Sequence, residues 1–120
     1  GRKVVLTTGF ARPTADAIIA SLGWESAVDA VLTPADAGRG RPFPDLNLLA
    51  LLCTQAASVH AIAVVGDTVS DVRSGLAAGA GEVIGVLTGA TSAEEFVAAG
   101  ATAVLPSVVD LPALLHDLNR

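Results

Sequence analysis

Several things are scarce in these 120 residues. There is one cysteine, Cys53, so no internal disulfide can form. Cys53 lies in an apolar helical run (Leu48 to Leu52) and reads as a small core residue rather than a catalytic thiol. Aromatics make up 3% of a chain that is 52% apolar, so the expected core is Val, Leu, Ile and Ala. Lys plus Arg number 7 against 12 Asp plus Glu, a net charge of −5. That balance excludes a basic surface for nucleic acid. No apolar run approaches the ~18 residues of a membrane span. Val4-Val5-Leu6 is too short for a signal-peptide core, and no small-residue cleavage site follows it. The expectation is one cytoplasmic domain with neither nucleic acid nor membrane as partner.

The most informative stretch present is Val64-Val65-Gly66-Asp67-Thr68-Val69-Ser70-Asp71. Its apolar start reads as a buried parallel strand, and Val72 to Ala80 reads as a helix. Ligands in open α/β sheets gather where strands end. Two carboxylates there suit a hard cation such as Mg²⁺, which shares its shell with water and phosphate oxygens. The alternative is that Ser70 or Asp71 merely caps the helix.

Around this stretch, strand and helix alternate. Lys3–Thr7 is a predicted strand ending in Thr8-Gly9, and Pro13-Thr14 opens a helix with Ala15, Ala17, Ile18 and Leu22 inward and Gly23 as its C-cap. A hydroxyl and a free N–H at a helix entrance suit an anion, although Thr-Gly turns are common in any role. Ala30–Thr33 is a second strand, and Pro34–Pro44 is expected to be loop. A helix follows from Asp45 to about Ala57, with Leu46, Leu49, Leu52 and Cys53 on one side. Arg39 and Arg41 enter that helix at its N-terminus, where a cation opposes the dipole. An anion-binding role competes there with a solvated loop arginine. The third strand is Ala61–Gly66, with His60 before it as a surface residue. Gly75 and Gly79 cost helix propensity and fit a helix lying close to another backbone. Glu82–Leu87 is a fourth strand, Ser92 begins a helix stopped by Gly100, Ala103–Leu105 is an edge strand, and Asp110 is expected to cap a last helix. The pattern predicts an α/β domain over 1–120 with a parallel sheet and right-handed crossovers.

The chain resembles the C-terminal two-thirds of the haloacid dehalogenase superfamily core, over essentially its whole length. Val5-Leu6-Thr7-Thr8-Gly9 is similar to that family's second motif, Arg41-Pro42-Phe43-Pro44-Asp45 to its third, and Gly66-Asp67-Thr68-Val69-Ser70-Asp71 to its fourth. Thr-Thr-Gly-Phe and an arginine in the third motif point to the phosphonatase-like branch. The first motif, Asp-x-Asp on a central strand, has no match among the eight aspartates (Asp16, Asp29, Asp36, Asp45, Asp67, Asp71, Asp110 and Asp117). The helical cap is also absent, and Lys3, the one lysine, lies on the second-motif strand and cannot be that branch's Schiff-base lysine. The resemblance implies a three-layer Rossmann-like sheet without its first, central strand, as in a family member that has lost or been cut from its N-terminal part. It implies a substrate that is a small phosphorylated or phosphonate metabolite, attacked by an aspartate to give an aspartyl-phosphate. It assigns Thr8 and Arg41 catalytic roles, Thr8, Gly9 and Arg41 phosphate binding, and Asp67 and Asp71 Mg²⁺ binding. Thr7 is the substitute for Thr8 if the register shifts by one.

Two functional classes follow. One is the C-terminal portion of a Mg²⁺-dependent phosphatase or phosphonatase-like hydrolase, inactive on its own. The other is a non-catalytic anion- or metal-binding module on the same scaffold. An N-terminal segment or partner chain carrying an Asp-x-Asp strand separates them, and that strand would fill the gap in the sheet.

Overall fold

A computed structural model describes residues 2–118. The order is β1 (Val5–Thr7), α1 (Arg12–Leu22), β2 (Ala30–Leu32), α2 (Pro34–Ala37), α3 (Asp45–Thr54), β3 (Ala63–Gly66), α4 (Val69–Ala78), β4 (Glu82–Val86), α5 (Ala93–Ala99), β5 (Ala103–Leu105) and α6 (Leu111–Leu118). Local chemistry sets most of these boundaries. Gly23, Gly79 and Gly100 take left-handed conformations that close α1, α4 and α5. Ser92 and Glu95 form the capping box that opens α5. None of the helices among the described residues is long and apolar enough to cross a membrane.

All pairings are parallel, in two groups. β1 pairs with β2, setting Leu6 opposite Val31. β3 pairs with β4 and β4 with β5, setting Val65 opposite Ile84 and Ile84 opposite Ala103. Among the described residues no ladder joins the groups, and β1 and β3 face each other across a groove. β5 lies at the far edge beside β4, so it does not fill the central position. This is the predicted three-layer α/β fold without its central strand.

The core sits mainly under the second group. Val72 of α4, Val83 of β4 and Phe96 of α5 form its centre, with Ala80, Ala99, Ala101 and Val104 packed against them. Phe96 is 0% exposed and is the largest fully buried side chain, which departs from an all-aliphatic expectation. Its ring lies directly over the backbone of Gly85.

Several expectations need correction. On α1 only Ala15 is buried; Ala17, Ile18 and Leu22 are exposed, because a two-stranded sheet covers just one narrow stripe of that helix. α3 ends at Thr54, where Gln55 turns left-handed. Its covered stripe runs through Leu46, Asn47, Ala50 and Thr54, so Leu52 (69% exposed) and Cys53 face outward. The expected loop from Pro34 contains a turn of helix, opened by Thr33 and Asp36 as a capping box. Asp110 belongs to a 3-10 turn capped by the Ser107 side chain, ahead of α6.

Candidate active site

The groove between β1 and β3 has a volume of about 360 Å³. Val5, Leu6, Thr7, Thr8 and Gly9 form one wall, and Val65, Gly66, Asp67 and Asp71 the other, with Arg41 also lining it. The five predicted residues Thr8, Gly9, Arg41, Asp67 and Asp71 therefore share one groove at the carboxyl ends of two parallel strands.

Asp71 does two things at once. It is N3 of α4 in a capping box whose N-cap is Thr68. Its Oδ2 accepts from the Asp67 N–H (3.0 Å), the Thr68 N–H (3.0 Å) and the Thr68 hydroxyl (2.9 Å). Its Oδ1 pairs with Arg41 Nε at 2.5 Å. The N-cap of α4 is therefore Thr68, rather than Ser70 or Asp71, with Asp71 completing the capping box at the edge of the groove, and Asp71 is only 9% exposed. Gly66 makes this possible: a Cβ there would overlap the Asp71 side chain. Asp67 differs. It is exposed, and its carboxylate has no hydrogen-bond or ion-pair partner among the described residues. The backbone of Gly89, in the loop after β4, lies against it, close enough that a Cβ would stand 2.8 Å from Asp67 Oδ2.

Arg41 spans the groove. Besides Asp71, its Nη2 donates to the Thr7 hydroxyl (2.6 Å) and the Thr7 carbonyl (3.0 Å). One guanidinium thus ties the end of β1 to the start of α4. Thr7, not Thr8, is its partner on β1. Thr8 gives its N–H to the Leu32 carbonyl (3.1 Å), and its hydroxyl oxygen accepts from the Phe10 N–H (3.1 Å). The Thr8 hydroxyl proton remains available to donate. The Gly9 N–H has no partner among the described residues.

Arg39 does not join the site. Asp45 binds it with both carboxylate oxygens, and it stacks 4.1 Å from the centre of the Phe43 ring. That bidentate contact pulls the Asp45 carboxyl below the ordinary carboxylate range and raises Arg39 above its own. His60 is exposed in a 3-10 turn away from the groove. The roles of Thr68 and Gly66 were legible as a Thr-x-x-Asp capping pattern preceded by glycine. The Thr7–Arg41 contact had no signal beyond adjacency.

Asp67 and Asp71 supply hard carboxylate oxygens, the donor type Mg²⁺ takes. Among the described residues, no three His, Cys, Asp or Glu side chains gather around one point. With Asp71 engaged through both oxygens, Asp67 is the carboxylate free for direct ligation. That fits an ion that keeps several waters and uses few protein ligands.

Comparisons with known proteins place the chain among hydrolases. A phosphonoacetaldehyde hydrolase of Parabacteroides distasonis is 30% identical over a 150-residue alignment that takes in all of this chain and 54% of the relative. A solved phosphonoacetaldehyde hydrolase-like protein of Oleispira antarctica superposes with a TM-score of 0.84 at 30% identity, over 100% of this chain and 52% of that one. A hydrolase of the same superfamily from Deinococcus radiodurans, solved with bound phosphate and sodium, gives 0.83 at 27% identity over 94% of this chain and 51% of that one. The chain spans about half the length of the curated relatives it matches over its whole length. The model of the haloacid dehalogenase-like hydrolase family matches residues 1–79, from β1 to the glycine that closes α4 and so through every groove residue, and the chain belongs to that family.

Proposed function

We propose that this chain is the C-terminal portion of a cytoplasmic, Mg²⁺-dependent hydrolase. Its substrate is a small phosphorylated or phosphonate metabolite, and the reaction passes through an aspartyl-phosphate. The observation that carries this reading is the convergence of Thr8, Gly9, Arg41, Asp67 and Asp71 on one groove between two unpaired parallel strand edges. A segment outside these 120 residues, from the same polypeptide or a partner chain, supplies the attacking aspartate on a strand laid into that groove.

In this reading each residue has a task. The Thr8 hydroxyl and the Gly9 N–H donate to one phosphoryl oxygen. Arg41 bears a fork of donors, and Nη1 is the nitrogen not used on Thr7 or Asp71. It faces phosphate and nucleophile carboxylate together and offsets their repulsion. Asp67 would hold Mg²⁺ directly, and Asp71 through water. Bound there, the ion would supply charge neutralisation between the carboxylate nucleophile and the phosphoryl group.

The test is to produce the 120-residue chain alone and together with the segment that precedes it in its reading frame. Both are assayed with Mg²⁺, a generic phosphate ester and phosphonoacetaldehyde. Turnover is expected only with the segment present, and Asp67→Ala should abolish it. Arg41→Ala should lower kcat by about 100-fold or more, the size of effect seen on removing a preorganised charge-stabilising donor. Turnover by the chain alone would show that the chemistry is misassigned. Orthophosphate binding without turnover in either preparation would favour the non-catalytic module.

A further inference from the structure

Away from the groove, three polar side chains are buried: Thr33, which caps α2, and two that bond each other. Ser74, on α4, is 2% exposed, and Asn47, on α3, is 9% exposed. The Asn47 amide donates to the Ser74 hydroxyl oxygen (2.8 Å), and the Ser74 hydroxyl donates to the Phe43 carbonyl (2.7 Å). The chain of donors is directional, and Ser74 Oγ is used as both acceptor and donor. A helical serine can satisfy itself on the carbonyl one turn back. This one instead reaches 31 residues along the sequence.

The place it reaches gives the arrangement its meaning. Phe43 lies two residues beyond Arg41 in the loop that leads into α3. Ser74 lies three residues, about one turn, beyond Asp71 on α4. The loop is therefore fastened to α4 twice, by Arg41 on Asp71 and by Phe43 on Ser74. We infer that Ser74, oriented by Asn47, is a positioning residue that fixes the Arg41 loop and so holds the guanidinium between Thr7 and Asp71 before any anion arrives. The inference rests on the anion-binding role proposed above for Arg41. Its physical basis is preorganisation: a guanidinium already held loses less freedom when it binds. Packing alone does not require the arrangement, since alanine at 74 would fill nearly the same space in a helix.

The Arg41 side-chain Nε–H signal in ¹⁵N NMR tests this without any ligand, in the chain supplied with the preceding segment. The wild type should show an ordered, slowly exchanging signal, and Ser74→Ala should broaden it or bring it to the solvent-exchange limit. Orthophosphate titration then reads the consequence. Ser74→Ala should weaken binding about tenfold, the decade that 1.4 kcal/mol is worth. In an Arg41→Ala background the same change should add nothing, because Ser74 acts through Arg41. Asn47→Ala should act in the same direction, less strongly. Ser74→Cys, close in volume and a poor donor, gives the same readings if the alanine variant does not fold. A lowered Tm with the Arg41 signal unchanged would make the network merely structural and overturn the inference. A wild type that binds no orthophosphate would overturn the functional reading, while the Nε–H signal still decides the role of Ser74.

Discussion

Asp36 and Asp71 are held by the same device and used differently. Each is the third residue of a helix behind a threonine N-cap, and each carboxylate accepts from that threonine's N–H and hydroxyl. Each also pairs with an arginine whose Nη2 bonds a β1 or β2 carbonyl, Val31 for Arg12 and Thr7 for Arg41. At Asp36 the arginine also pairs with Asp16, so its charge is spent within the protein. At Asp71 the arginine borders the groove. The Thr33 N–H, foremost among several contacts, draws the Asp36 carboxyl below the ordinary carboxylate range, as Arg39 draws Asp45. A carboxylate whose folded pKa is depressed contributes stability that is present above the unfolded value, about pH 4, and is lost as pH falls through the lower folded value. NMR titration should therefore find both midpoints below the ordinary carboxylate value of about 4. Midpoints at that value would contradict the Thr33 contacts of Asp36 and the Arg39 contact of Asp45. Gly66 carries a sharper expectation. In Gly66→Ala the new methyl overlaps Asp71 Cβ, Cγ and Oδ2, so the carboxylate must leave its cap and its arginine. Destabilisation of about 1–3 kcal/mol is expected from overpacking alone, read by chemical denaturation. An unchanged midpoint would mean that Asp71 does not lie on Gly66.

The elements divide into those legible from sequence and those not, and the division follows what each depends on. Strand and helix order was legible because β-branched runs and glycine C-caps are local signals. So was the convergence of site residues, since parallel strands deliver their carboxyl ends to one side of a sheet. The inner faces of α1 and α3 were not, because Ile18, Leu22, Leu52 and Cys53 are sorted by what lies beneath the helix rather than by its own spacing. The helical turn at Pro34 was available in Thr33-Pro34-Ala35-Asp36, a capping pattern with proline in the first turn. Gly75 and Gly79 looked alike in sequence and differ in kind. Gly79 is a left-handed cap, while Gly75 brings α4 onto the sheet, where a Cβ would stand 3.1 Å from Val64 and Val83 side-chain atoms. Alanine at 75 gains up to about 1 kcal/mol of helix propensity and loses some of it to crowding. Gly85→Ala has no such compensation, since its methyl would enter the Phe96 ring that fills the core. Thermal unfolding should rank Gly85→Ala well below Gly75→Ala in Tm. The reverse order would show that α5 can move away from β4 more easily than α4 can.

At the scale of the molecule, the structure is unevenly supported. The group formed by β3, β4 and β5 has two helices and a continuous apolar cluster. The group formed by β1, α1 and β2 buries just Ala15 and Leu32 among its hydrophobic residues. The loop carrying Arg41 ties the two across the groove with one ion pair and two hydrogen bonds to Thr7. Local opening follows the number of buried contacts. In the 120-residue chain alone, amide exchange should be slowest at Val83, Ile84 and Val86 and fast at Leu6 and Thr7. The edges of β1 and β3 that face the groove carry unpaired backbone groups, and such edges pair with whatever extended chain they meet. The chain alone should therefore self-associate as its concentration rises, which sedimentation velocity reads directly. Adding a segment that carries the strand proposed above should suppress that association and slow exchange at Leu6 and Thr7 toward the β4 values, because a strand seated in the groove pairs with both edges at once. A chain that stays monomeric with β1 as protected as β4 would refute the incomplete-sheet account. It would mean that Arg41 and the surrounding packing suffice to close the molecule without another strand.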